Sequence, residues 1–194
     1  MKNEKVKRMV IMALLMAMVV VLQLLSAAIP PIGGFSISLV LIPIVLGAAV
    51  YGIRAGALLG ATFGVVVAIN CITGADAGGA MVFQANPVLC LLVVLSKGIL
   101  AGMASGAVYR LLSKVNPYLA MVAAAIICPV VNTGVFIAAM LLFFIDVLAA
   151  WAGGGDIIGY VLSGLVLANF VPELIINVVF SPAGQRIVKT VKKS

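Results

Sequence analysis

A succession of long apolar stretches is the feature that most limits how this chain can fold. A helix needs about 17–25 predominantly apolar residues to cross a lipid bilayer. Six stretches that approach or exceed this length follow one another, and they cover residues 10–29, 37–51, 55–72, 87–111, 118–145 and 157–180. The sequence therefore predicts an all-α membrane protein in which residues 1–194 form a single bundle of six transmembrane helices.

The composition excludes an ordinary soluble domain and the common kinds of catalytic site. Of the 194 residues, 65% are hydrophobic and 9% are charged, against about 45–50% and about 25% in typical soluble proteins. The chain has no histidine and no CxxC pair, which removes the usual zinc sites and His-dependent catalysis. We therefore expect no catalytic residue, no metal and no cofactor, and we interpret Cys71, Cys90 and Cys128 as small packing residues.

The basic residues alternate between the two ends of the predicted helices. Lys and Arg precede the first helix, follow the sixth, and occupy the second and fourth connections. Residues 30–36, 73–86 and 146–156 contain no Lys or Arg. The positive-inside rule then predicts that both termini are cytoplasmic. We attribute the net charge of +7 to this topology and to attraction by anionic lipid, and not to nucleic-acid binding.

Small residues spaced four apart predict close helix contacts, because lipid supplies no hydrophobic force between helices. The third and fourth predicted helices carry such rows, which consist of Gly56, Gly60, Gly64 and of Gly98, Gly102, Gly106. The first helix carries Ala13 and Ala17 near its predicted cytoplasmic end. From spacing alone, this alanine pair fits packing against the chain's own helices or against another membrane protein.

Two charged residues, Lys97 and Glu173, lie inside predicted helices. A charge near the bilayer centre costs at least about 2.5–3.5 kcal/mol, so it usually faces a partner or a cavity. Lys97 precedes Arg110 by as many residues as Glu173 precedes Arg186, which predicts a similar depth in the membrane. The pair is expected either to form a buried salt bridge or to line a ligand cavity.

Uncharged polar residues favour the cavity. Asn132 lies in the middle of the fifth predicted helix, and Asn169 and Asn177 lie one turn to either side of Glu173. Lys97 would hold a carboxylate of the ligand, while the asparagines would bind its hydroxyl or amide groups. Each asparagine fits equally well a hydrogen bond between helices without any ligand.

Residues 73–86 form the longest predicted outer loop, which is rich in Gly and Ala and carries Phe83, Gln84 and Asn86. A loop of this length is often a lid over a ligand site, and the alternative is a slack linker. Phe35 and Phe136 are further candidates for stacking on a ligand. Trp151 begins a second glycine-rich outer loop, and we interpret it as an interfacial anchor.

The chain resembles the substrate-binding S components of energy-coupling factor (ECF) transporters over nearly its whole length. The resemblance rests on the AxxxA pair and on "LIPIVLGAAVYGIRAGALLGATFGV", "NPVLCLLVVLSKGILAGMASGAVYRLL" and "NFVPELIINVVFSPAG". It implies a vitamin-binding subunit of a prokaryotic plasma membrane that works with a transmembrane coupling protein and two cytoplasmic ABC ATPases. In that family the first helix meets the coupling protein through small residues, here Ala13 and Ala17.

The same resemblance implies a ligand pocket toward the outer side, formed by helices four to six and covered by the outer loops, and a subunit that topples in the membrane. Many relatives carry Pro–Arg where this chain has Ser96–Lys97; lysine keeps the charge but lacks the planar fork of arginine. The pantothenate-type branch is most similar, and riboflavin and pyridoxine remain alternatives. A stand-alone ion-coupled transporter with Glu173 as proton relay is an alternative class, whereas an intramembrane enzyme fits poorly because the chain lacks a histidine base and paired intramembrane acids.

Overall fold

The computed structural model describes residues 2–28 and 39–193, and within these ranges the chain is helical, with turns and no strand. Its helices are α1 (Lys2–Ala28), α2 (Leu41–Tyr51), α3 (Ile53–Thr73), α4 (Ala77–Ala85), α5 (Pro87–Leu112), α6 (Pro117–Phe143), α7 (Ile145–Trp151), α8 (Ile157–Tyr160) and α9 (Val171–Lys193). A π-helical segment, Val161–Phe170, joins α8 to α9. The predicted all-α fold class is confirmed.

Five helices in the described ranges are long and apolar enough to cross a membrane. They are Glu4–Ser26, Ile53–Thr73, Pro87–Leu112, Pro117–Phe143 and Ile157–Val191. The second predicted helix, residues 37–51, is described from residue 39 and contains α2, which has 11 residues. At 1.5 Å per residue such a helix is about 16 Å long, short of the roughly 30 Å hydrocarbon core. Six spans with cytoplasmic termini therefore stay a prediction.

Helix α2 is short because it is a central packing element. Its side chains are buried from Leu41 to Ala49 with the exception of Ile42, and it contacts α1, α3, α5, α6 and α9. A helix that is apolar on every side is expected to be surrounded by protein. Gly52 separates it from α3 with a φ of 87°, a conformation that glycine adopts without steric cost.

The predicted glycine rows form the interface between α3 and α5. A methyl group added at Gly60 would overlap the carbonyl oxygen of Gly98, and one added at Gly56 would overlap that of Gly102. Methyl groups added at Gly98 and Gly102 would meet the carbonyls of Gly60 and Gly56 in return. The two backbones therefore touch directly, which confirms the packing role that the spacing predicts.

The two longer connections that are predicted to lie outside the cell contain helices that the sequence patterns do not predict. Residues 73–86 hold α4, and α7 follows α6 after Phe144. Val82 of α4 and Leu148 of α7 are buried, and Trp151 Nε1 donates a hydrogen bond to Met81 Sδ at 3.3 Å. The long loop is thus a packed helix and not a slack linker in this conformation.

The last membrane helix departs from a regular α-helix over the π-helical segment. This segment ends where the Val171 N–H donates to the Val166 carbonyl, one residue before Pro172. Proline has no N–H and its ring crowds the carbonyl four residues earlier, so a wider turn before it relieves that contact. Asn169 lies in this segment and is half-buried.

Candidate functional site

A cavity of about 60 Å³ lies between α3, α4, α5, α6 and α7. Its lining is mostly apolar, but four polar side chains reach it: Cys71, Asp76, Cys90 and Lys97. Phe136 and Trp151 supply aromatic walls. Because α4 and α7 lie over the cavity, the two short helices of the outer connections close the end of the bundle at which Lys97 is found.

Lys97 faces two aromatic rings inside the bundle. Its Nζ lies 4.9 Å from the ring centroid of Phe136 and 5.6 Å from that of Phe63. Ring faces attract a cation, and the attraction strengthens when water is excluded. These rings are the contacts of the ammonium group among the described residues, where it makes neither an ion pair nor a hydrogen bond. A positive charge at this position is therefore held in place but not neutralised by a bonded carboxylate.

The glycine interface explains why Lys97 reaches Phe63. Gly98 follows Lys97 on α5, and a methyl group at Gly98 would lie 3.1 Å from Cδ1 of Phe63. Any larger residue would push α5 away from α3 and separate the ammonium group from one of its two rings.

Asp76 places a carboxyl group in the lining of the same cavity. It precedes α4 without capping it through its side chain, and it acts electrostatically on Lys97. A methyl group at Gly79 would lie 2.9 Å from Asp76 Oδ2 and 2.5 Å from Cys71 Sγ. The cavity thus has an acidic group near its outer helix α4 and a basic group deeper along α5.

Cys71 and Cys90 lie side by side in this lining. Both are free and buried, and both face the same cavity, where each thiol affects the other electrostatically. The prediction that they are small packing residues agrees with their burial, but the sequence analysis did not foresee their contact.

Glu173 and its neighbours form a second buried polar group. Glu173 is 1% exposed, and its Oε2 atom has no hydrogen-bond partner, so that atom receives no hydrogen bond from Lys97. Asn177 Nδ2 donates to the Glu173 carbonyl at 2.8 Å, while Asn177 Oδ1 and Asn132 Oδ1 are also without partners. A buried polar group left unpaired costs about 1–3 kcal/mol. Lys97 and Glu173 act on each other electrostatically, but these two described residues do not form the predicted buried salt bridge in this structure.

The remaining predicted site residues do not line the Lys97 cavity in the described structure. Gln84 is exposed, and Phe83 is half-buried against the hydrophobic core. Asn86 caps α5, because its Oδ1 accepts a hydrogen bond from the Leu89 N–H at 3.1 Å. Phe35 lies outside the described residues, and Asn132 is buried but absent from the lining.

Helical periodicity in the sequence predicts which residues of α3 and α5 lie together near Lys97. Phe63, Val67 and Cys71 follow at four-residue steps along α3, and Cys90 lies two turns before Lys97 on α5. Residues at these spacings lie on the same face of their own helix. No such periodicity marks Asp76 or Trp151, whose positions depend on α4 and α7.

Ala13 and Ala17, the predicted partner-binding residues, lie away from this site. Both are exposed on α1, whereas Met12, Leu15 and Val19 of the same helix are buried. The alanine pair therefore faces away from the chain's own bundle.

Comparison with known proteins gives one family. The family model described as "ECF transporter, substrate-specific component" matches residues 7–183. No curated protein matches the chain. The matched range contains every residue that lines the Lys97 cavity.

Proposed function

Because the chain belongs to the family of substrate-specific components of ECF transporters, we propose that it captures a small carboxylate-bearing vitamin, with pantothenate as the best candidate. The vitamin would bind at the Lys97 cavity from outside the cell. A transmembrane coupling protein and two ABC ATPases would then power its delivery inward. Riboflavin and pyridoxine are the alternative vitamins.

The observation that carries this proposal is the environment of Lys97. Its ammonium group lies between two aromatic rings at a cavity and is not paired with a carboxylate among the described residues. Glu173 and Asp76 act on Lys97 electrostatically without an ion pair, so a ligand carboxylate would supply a directly bonded counter-charge in a site with little water, where such an interaction is strong. This favours an acidic ligand over a neutral one.

Asp76, at the other polar end of the cavity, restricts the class of ligand further. Asp76 accepts hydrogen bonds, so it suits hydroxyl or N–H groups on the part of the ligand that lies near α4. A molecule with a carboxylate at one end and hydroxyl groups at the other matches Lys97 and Asp76 together. Pantothenate has this arrangement, which supports it against riboflavin and pyridoxine, which carry no carboxylate.

The closed cavity is too small for a vitamin, so binding requires a movement of the outer helices. About 60 Å³ accommodates about two water molecules, whereas ligand pockets usually have about 300–1,000 Å³. The contact between Trp151 and Met81 joins α7 to α4 directly above the lining. We infer that these two helices act as the lid and that the described conformation is a closed one.

Assembly with the coupling protein would use α1. Ala13 and Ala17 lie on its exposed side, and small residues let a partner helix approach closely. With both termini cytoplasmic and six spans in the plasma membrane of a prokaryote, this alanine pair would lie in the inner half of the bilayer.

The test is a binding assay on the purified full chain with a panel of vitamins, read by thermal shift and native mass spectrometry. Pantothenate should stabilise the protein, and Lys97→Met should abolish the shift while Lys97→Arg retains part of it. Lys114→Met removes a lysine from the turn that follows the opposite end of α5 and serves as the matched control. Equal binding by Lys97→Met and the unchanged chain would refute the role of Lys97.

An ion-coupled transporter is the second candidate, because Glu173 is buried with an unpartnered carboxyl oxygen. Such a protein would accumulate its substrate in proteoliposomes under a proton gradient without any ATPase subunit. The proposed S component would bind the vitamin but would not accumulate it without its ATPase module.

A further inference from the structure

A large cleft lies at the end of the bundle opposite the Lys97 cavity. It has a volume of about 680 Å³ and is formed by α1, the end of α2, the start of α3 and the end of α5. Three arginines line it, one from each of three helices: Arg8, Arg54 and Arg110. The cleft therefore collects permanent positive charge from parts of the chain that are distant in sequence.

Acidic side chains of this protein do not balance that charge. The chain has five Asp and Glu residues, and of these Glu4 acts electrostatically at the cleft, on Tyr51. Arg8 packs over the ring of Tyr51, with its Cζ 5.4 Å from the centroid. Three arginines against one glutamate leave an excess of two positive charges, which attracts an anion.

The backbone adds donors for an anion in the same place. Ile53 and Arg54 line the cleft and begin α3, which has no side-chain cap, whereas the N–H of the preceding Gly52 donates to the Ala48 carbonyl. The first N–H groups of a helix lack partners within it and carry partial positive charge. Guanidinium groups together with such N–H groups are the donors that bind phosphate oxygens.

An apolar groove continues from the cleft. A second concavity of about 330 Å³ is lined by Ile53, Ala107, Arg110, Leu111 and Lys114, so it shares Ile53 and Arg110 with the first. Leu111 is 71% exposed. A charged cleft that merges into an exposed apolar groove on a transmembrane helix fits a molecule with an anionic head and a hydrocarbon tail.

We propose that this cleft binds an anionic phospholipid, whose phosphate lies between Arg54 and Arg110 and whose acyl chains follow the groove beside Leu111. In other membrane proteins, basic pockets between transmembrane helices on the cytoplasmic side bind the headgroups of anionic lipids. A free phosphate ion or an acidic segment of a partner protein would satisfy the arginines, but neither would occupy the apolar groove. The proposal does not depend on which vitamin the opposite cavity binds.

The experiment uses the full chain, delipidated in mild detergent and then given one ligand at a time. The ligands are phosphatidylglycerol, phosphatidylcholine with the same acyl chains, glycerol phosphate and inorganic phosphate. Native mass spectrometry counts bound lipid, and a titration gives its affinity. We expect one tightly held phosphatidylglycerol molecule, little retention of phosphatidylcholine, and no effect of the two soluble phosphates.

Variants separate the cleft from general attraction between a basic protein and acidic lipid. Arg54→Gln and Arg110→Gln should each weaken phosphatidylglycerol binding about fivefold, and the double variant about thirtyfold. Arg110→Lys should keep most of the affinity, which also shows that the fold tolerates a change there. Arg186→Gln is the matched control, since it removes one arginine from α9 outside the cleft.

Four results would overturn the proposal. Phosphatidylcholine could bind as tightly as phosphatidylglycerol, or Arg186→Gln could weaken binding as much as Arg110→Gln. Soluble phosphate could stabilise the chain as well as the lipid does, which would assign the cleft to a free anion. Finally, the delipidated chain could fail to bind phosphatidylglycerol at all, which would leave the arginines to another anionic partner.

Discussion

The direct backbone contact between α3 and α5 predicts that one added methyl group, in Gly60→Ala, destabilises the protein. That methyl would overlap the carbonyl oxygen of Gly98 and lie 3.1 Å from the amide nitrogen of Ile99. Both neighbours are main-chain atoms. Because no side chain can rotate away, the two helices must separate along their common length.

The expected loss in the free energy of unfolding of Gly60→Ala is the difference between two opposing contributions. Overpacking a tight contact costs about 1–3 kcal/mol, and rigid backbone on both sides puts Gly60 near the upper end. Alanine is a better helix former than glycine by about 1 kcal/mol, which offsets part of that cost. The net loss of about 2 kcal/mol lowers Tm by about 4–8 °C in a protein of this size.

Thermal unfolding of the purified chain in mild detergent measures this change, and Gly134→Ala provides the control. Gly134 lies within α6, and a methyl group there would have no atom within 4 Å. The same substitution should therefore raise Tm by about 2–4 °C through helix propensity alone. A rise in Tm for Gly60→Ala as well would show that the α3 and α5 backbones do not touch.

Four further predictions concern the site and its partners. Ala17→Leu should impair co-purification with the coupling protein but leave vitamin binding within about twofold of normal, since Ala17 is exposed on α1; an intact complex would argue against this surface. Mild oxidation with diamide should join Cys71 to Cys90, whose thiols are in contact, and mass spectrometry of the peptides would detect the bond or its absence. Trp151→Ala should speed vitamin release in a stopped-flow assay, because it removes the α7 contact to α4; an unchanged rate would exclude α7 from the lid. Glu173→Met should raise thermal stability by about 1–3 kcal/mol, because it removes the unpartnered carboxyl oxygen, while ATP-driven uptake persists, whereas loss of uptake would favour the ion-coupled alternative.

Patterns that depend on helix geometry were predictable from the sequence. Gly60 and Gly98 belong to rows spaced four apart, and in lipid such rows have few uses other than close packing. Lys97 was found for a similar reason, since a charge in an apolar helix is costly and must face protein or a cavity. Its aromatic neighbours Phe63 and Phe136 could not be assigned, because they belong to other helices.

The parts that the sequence did not predict depend on tertiary contacts. The adjacent glycines Gly78 and Gly79 disfavour a helix over residues 77–85, yet burial of Val82 against the bundle stabilises one there. Asp76 reaches the cavity only because α4 folds back over it. Asn86 is predicted to bind ligand, and the structure adds that its side chain caps α5.

The glycine interface also has a mechanical consequence. Helices that touch through backbone atoms cannot slide or tilt against each other without breaking many contacts at once. The helices α3 and α5 therefore behave as one rigid pair. One end of this rigid pair borders the Lys97 cavity at Cys71 and Cys90, and the other carries Arg54 and Arg110. Deformation of the bundle must therefore occur elsewhere, in α4, α7 and the π-helical segment. Any rotation of the rigid pair moves both of its ends together.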